Sequence, residues 1–178
     1  HETHFAYAYS KRMLDVQSRA YRKQWGSNFV TAIPGNIYGP NDLFDLDNCH
    51  VIPAVIRKVW EAKTKNKKLS FWGDGSSLRE FTYSKDVARA MMFLLEGYDE
   101  KEPINIGHTE EYSIKELVDI VCTIFDYRGL IQWEGQLGGQ FRKPSDNSRF
   151  KDITKNEFSY TTLYNGLEKT CKWFVSNY

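Results

Sequence analysis

What most constrains this chain is an alternation. Short β-branched or aromatic runs recur along it: "NFVTAIP" (28–34), "LSFW" (69–72), "REFTYS" (79–84), "PINIG" (103–107) and "IQWEG" (131–135). Between them lie segments with helical apolar spacing, the longest being 6–25, which Gly26 closes. Strands that alternate with helices predict an α/β architecture with parallel pairing, because a parallel pair needs a crossover long enough to hold a helix. A second helix is expected from about residue 52 in "HVIPAVIRKVWEAKTKNKK". In "SKDVARAMMFLLEGY" Ser84 reads as the cap and Val87, Ala90, Met91, Leu94 and Leu95 as the buried stripe. Ser113 and Glu116 have the spacing of a capping box ahead of "IKELVDIVCTIF". The last helix, in "TTLYNGLEKTCKWFVSNY", turns Leu163, Leu167, Thr170, Cys171 and Phe174 inward. "GNIYGPND" (35–42) and "GGQFRKPSDNSRF" (138–150) read as loops.

No strand, glycine-rich turn and helix open the chain, as they do in a dinucleotide-binding unit. "GDGSSL" contains Gly73 and Gly75 but lacks the third glycine of that fingerprint, and it lies between two expected strands. It reads as an Asp-Gly turn. Lys and Arg number 24 against 23 Asp and Glu, so nothing in the charge argues for nucleic acid or an acidic membrane surface. Cys49, Cys122 and Cys171 are too few and too far apart for a disulfide framework, and no CxxC marks a metal or redox site. A reducing cytoplasm is the expected setting, and no apolar run is long enough to span a bilayer.

The chemistry starts at "FAYAYSKRMLDVQ". On a helix, Tyr7 and Lys11 share one face, whereas Tyr9 points elsewhere. Such a pair serves equally as a packing ring beside a solvated charge. It also has a chemical use. A phenol titrates near pH 10, and a neighbouring ammonium favours phenolate. That tyrosine could then give a proton to a carbonyl oxygen as hydride reaches its carbon, while the lysine holds a ribose.

After that helix come a strand and "PGNIYGPND", with Pro34, Asn36, Tyr38, Gly39 and Pro40 in a P-x-N-x-Y-G-P pattern. Helix, strand and loop together resemble the extended short-chain dehydrogenase/reductase superfamily. "YSKRMLDVQSRAY", "IYGPNDLFDLDNCHVIPAVIRK", "FWGDGSSLREF" and "GGQFRK" narrow the resemblance to the GDP-L-fucose synthase family, over nearly the whole chain and in order. The resemblance implies the C-terminal part of a Rossmann-type parallel sheet plus a smaller α/β substrate-binding domain. It assigns 1–35 and 67–88 to the last elements of the NADP-binding domain and 36–66 and 89–178 to the substrate domain. The N-terminal half of the Rossmann domain, with the family's catalytic serine and cysteine, is expected upstream of this sequence. The chain alone is therefore expected to be inactive.

The resemblance also implies roles. Tyr7 and Lys11 match the catalytic pair, and His50 matches the histidine that returns a proton during 3,5-epimerisation. Cys49 is not thereby a catalytic cysteine. Pro34, Asn36 and Ile37, with Tyr7 and Lys11, would line the nicotinamide end of an NADP(H) site. Trp72, Arg79 and Lys143, with His50, would hold the GDP-sugar, Arg142 being a substitute for Lys143. Gly138 stands where the family often has Asp. His1, His4 and His108 are left as structural. The implied reaction is epimerisation and NADPH-dependent 4-reduction of GDP-4-keto-6-deoxy-D-mannose, with a homodimer through the Tyr7 helix. A related GDP-sugar reductase or a GDP-heptose 3,5-epimerase/reductase would share these motifs, and a catalytically silent sugar-nucleotide-binding module is the reading from another class.

Overall fold

The computed structural model describes residues 5–135 and 140–178. His1, His4 and Gly138 lie outside them. Among the described residues the chain order is α1 (Phe5–Trp25), β1 (Ala32–Ile33), β2 (Asn36–Tyr38), α2 (Val51–Lys65), β3 (Leu69–Trp72), β4 (Leu78–Tyr83) and α3 (Ser84–Gly97). There follow β5 (Ile104–Asn105), β6 (Glu111–Ser113), α4 (Ile114–Ile124), β7 (Ile131–Glu134), α5 (Ser148–Ile153) and α6 (Leu163–Asn177). The chain is α/β, and most of its strand pairs are parallel. β1 pairs with β5, β2 with β4, and β3 with β7, all parallel, while β4 also takes β6 antiparallel.

Local chemistry sets the element ends. Gly26 ends α1 at φ 65°, a backbone conformation that disfavours a Cβ, and its N–H donates to the Arg22 carbonyl. Arg22 then ties the helix down, donating to Asn28 Oδ1 at 2.7 Å and to Asp99 Oδ1 at 2.7 Å. The capping box of α4 forms as its spacing predicts: Glu116 N–H donates to Ser113 Oγ, and Ser113 N–H donates to the Glu116 carboxylate. The inward residues of α6 are all buried.

Other expectations change. The loop read over 35–42 contains β2, because tertiary pairing with β4 overrides the turn signals of Asn36 and Gly39. The strand read over 28–34 shrinks to β1, and the polar loop over 138–150 runs into α5. Tyr83, not Ser84, occupies the N-cap of α3; Ser84 is already helical and its side chain lies against Gly39, where a Cβ would come within 2.2 Å of Ser84 Oγ. Val87, Ala90 and Leu94 are buried, but Met91 and Leu95 face solvent, Leu95 at 81% exposure.

Two apolar clusters form among the described residues. One joins α2, β3, β4, α4 and α6 around Phe44, Ile56, Leu117, Leu167 and Phe174. The other joins α3, β5 and α5 around Ala90, Ile104, Ile106 and Phe150, with Ala32 of β1 against it. Leu69, Phe71, Phe81 and Tyr83, within the 67–88 stretch expected on the cofactor side, belong to the first cluster, and α3 beyond residue 88 belongs to the second. Helix α1 has no buried residue, and no helix among the described residues is long and apolar enough to cross a membrane.

Candidate active site

Tyr7 and Lys11 leave α1 on the same face, with Lys11 Nζ 5.4 Å from the centre of the Tyr7 ring. That geometry follows from helical spacing alone. The pair faces a cleft of about 1070 Å³ that is also lined by Pro34, Asn36, Ile37, His50, Trp72 and Arg79. Four parts of the chain, distant in sequence, thus converge on one space. Of the substrate and cofactor residues expected from sequence, Lys143 is the one the cleft does not include.

Each wall has a local cause. Chain 34–37 runs from β1 to β2, and close backbone approach fixes it: a Cβ on Gly107 would meet Gly35 N at 3.0 Å. Asn36 Nδ2 donates to the Glu80 carbonyl at 2.7 Å, which ties this cleft-lining residue to β4. Tyr38, next along, turns the other way and is buried, and burial raises the pKa of its phenol. It is a packing residue of this loop.

His50 is the N-cap of α2. Its carbonyl accepts from Ala54 N–H, but its side chain makes no capping bond and stays exposed to the cleft. The imidazole is therefore not used as a helix cap. Cys49 beside it is half-buried, is not part of the cleft lining, and burial raises its thiol pKa. His108 stacks on Tyr160 with ring centres 4.9 Å apart, in a smaller pocket, and burial lowers its pKa.

Trp72 ends β3 with 68% of its surface exposed, an uncommon position for an indole unless it has something to face. Gly73 and Gly75 then turn the chain at φ 84° and 78°. The turn expected in "GDGSSL" is there, and it is also part of the cleft wall: Asp74, Gly75 and Ser77 line it. Asp74 Oδ1 accepts from Ser76 N–H at 2.9 Å and Ser76 Oγ at 2.8 Å, which holds its carboxyl below the usual range. The sequence reading missed these lining residues because a turn signal says nothing about what the turn borders. Arg79 reaches the cleft from β4 with its guanidinium on the carbonyls of Leu78, Gln140 and Phe141. Arg142 is engaged elsewhere, as a forked pair with Glu111 at 2.8 Å.

The arrangement places a phenol with its neighbouring ammonium, an exposed imidazole, an exposed indole and a guanidinium around one cleft. Residues 2–107 match the NAD dependent epimerase/dehydratase family. The chain is 45% identical over 161 residues to the GDP-L-fucose synthase of Sinorhizobium fredii, covering 89% of this chain and 51% of that one. It is 34% identical to the GDP-L-fucose synthase of Dictyostelium discoideum, covering 100% and 56%. Its fold overlays the crystal structure of a GDP-L-fucose synthetase from Naegleria fowleri bound to NADP with a TM-score of 0.94 and 32% identity, covering 100% of this chain and 58% of that one. The chain thus spans about half the length of the curated relatives it matches.

Proposed function

The chain belongs to the NAD dependent epimerase/dehydratase family, and from that premise we propose that it supplies the C-terminal half of a GDP-L-fucose synthase. The reaction is 3,5-epimerisation and NADPH-dependent 4-reduction of GDP-4-keto-6-deoxy-D-mannose. The observation that carries this reading is the convergence of Tyr7, Lys11, His50, Trp72 and Arg79 on one cleft.

Cofactor and chain fit at one end. Tyr7, Lys11, Pro34, Asn36 and Ile37 all line the cleft, and they are the residues that would meet a nicotinamide ribose. The sequence holds no glycine-rich turn for the pyrophosphate, which would come from the upstream half. When bound, NADPH would supply hydride to C4 of the sugar. Tyr7 gives its hydroxyl proton to the C4 oxygen, so that the ketone leaves as an alcohol, and Lys11 stabilises the phenolate left behind. Before that, the 4-keto group acidifies the C–H bonds at C3 and C5. At C3 and at C5 in turn, a base from the upstream half removes the proton and His50 returns one to the opposite face of the enolate, so each carbon loses and regains a single proton. Trp72 packs on the guanosine and Arg79 meets the diphosphate.

We also assign α1 to a homodimer interface. Phe5, Tyr9, Met13, Val16 and Ala20 follow helical spacing on the side opposite Tyr7, Lys11 and Leu14, and the first four are each more than half exposed. Free Cys49, Cys122 and Cys171 suit a reducing cytoplasm.

The test uses the complete protein with NADPH and the 4-keto sugar in deuterated water. Deuterium at C3 and C5 of a 4-reduced product is expected. Reduction without deuterium would replace this reading with a simple GDP-sugar 4-reductase.

A further inference from the structure

Arg79 donates from Nη1 to Leu78 O (2.6 Å) and Phe141 O (3.0 Å), and from Nη2 to Gln140 O (2.8 Å). A guanidinium has five N–H groups. By count, Nε–H and one Nη2–H remain, the side edge that forks onto two oxygens of a phosphate. Two of the three acceptors belong to chain 140–145, and that chain is itself fastened. Leu78 N–H donates to Phe141 O at 2.9 Å. Arg142 forks onto Glu111 of β6 with Nε at 2.8 Å from each carboxylate oxygen. Ser145 N–H and Oγ donate to the carboxylate of Glu80, which is 4% exposed. A buried carboxylate spent on a loop, and a forked ion pair at its other end, are more than a wandering surface chain needs.

We propose that residues 140–145 form a strap that positions Arg79, with Glu111 as the residue that fixes the strap. The proposal rests on reading the cleft as a nucleotide-diphosphate site. The strap's carbonyls hold the guanidinium so that its remaining edge faces the cleft. Glu111 touches no ligand and acts through Arg142, the strap and Arg79. This also accounts for Lys143 lying off the cleft: the strap carrying it serves through its backbone.

The experiment uses the complete protein, with GDP, guanosine and NADPH as probes in calorimetry and the 4-keto sugar in steady-state kinetics. Glu111→Gln keeps shape and removes charge. It is expected to weaken GDP about fivefold, the order of one forked pair, to raise KM for the sugar nucleotide to match, and to leave kcat, guanosine and NADPH affinity within about twofold. Arg142→Gln opens the same clip from the strap side and should give the same profile. Glu111→Arg with Arg142→Glu should restore GDP affinity. GDP binding unchanged in both single variants, or a loss equal for guanosine and GDP, overturns the strap. A wild-type protein that binds no GDP overturns the diphosphate reading beneath it as well.

Discussion

Gly166→Ala tests whether the loop beside the cleft is packed as described. Gly166 lies inside α6, where alanine is favoured over glycine by about 1 kcal/mol on propensity alone. A Cβ there would lie 2.0 Å from Tyr38 Oη and 2.9 Å from Cζ. Tyr38 is 2% exposed and packs on Tyr83 at 5.7 Å between ring centres, so its ring has little room to retreat. Overpacking of this kind costs about 1–3 kcal/mol, and a contact this short belongs at or above the upper end. The net expectation is destabilisation of about 2 kcal/mol once the propensity gain is subtracted. Urea unfolding of the complete protein followed by tryptophan fluorescence reads it. Gly97→Ala, where nothing lies within 4 Å of the added carbon, should be neutral or slightly stabilising. Adding Tyr38→Phe to Gly166→Ala should recover part of the loss, since the ring carbon still crowds the methyl. A neutral or stabilising Gly166→Ala would refute the packing argument. With it would go the placement of β2, whose Asn36 and Ile37 line the cleft.

Three further outcomes are expected. His50→Asn should slow inversion at C3 and C5 by about 10²–10⁴-fold, the usual effect of a positioned acid, read from the stereochemistry of the product, with NADPH affinity unchanged. Trp72→Ala should weaken GDP about tenfold, the lower range for one aromatic face, without altering the fold. Glu61, 7% exposed, accepts from Lys67 at 2.6 Å and Lys65 at 3.2 Å, which pulls its pKa down to about 2. A carboxylate lowered on folding stabilises above its unfolded pKa, and that gain disappears as pH falls through the folded value. Glu61→Gln should thus cost about 2 kcal/mol at pH 7, after screening by the exposed lysines, and cost progressively less from about pH 4.5 down to 2 by urea titration.

Much of the fold was legible because its signals are local. Helical spacing located α1, α2, α4 and α6, and the Ser113–Glu116 box located the start of α4 to the residue. The Tyr7–Lys11 face needed only helical geometry. What escaped depends on distant partners. Asn36 and Gly39 carry turn signals, yet β4 draws 36–38 into a sheet. Met91 and Leu95 keep apolar spacing on α3, yet nothing within the described residues packs over them fully. Asp74 lines the cleft through a turn whose sequence reports only its backbone conformation. Lys143 was placed by motif, but Arg79, Glu80 and Glu111 set where its loop runs, and none of those bonds is visible in linear spacing.

The central claim is that Tyr7, one helical turn from Lys11, delivers the proton that completes carbonyl reduction. Single-turnover NADPH oxidation by Tyr7→Phe in the complete protein, with deuterium incorporation followed in parallel, tests it directly. The account predicts reduction slowed by about 10²–10⁴-fold while exchange at C3 and C5 continues. Reduction at the wild-type rate would contradict it.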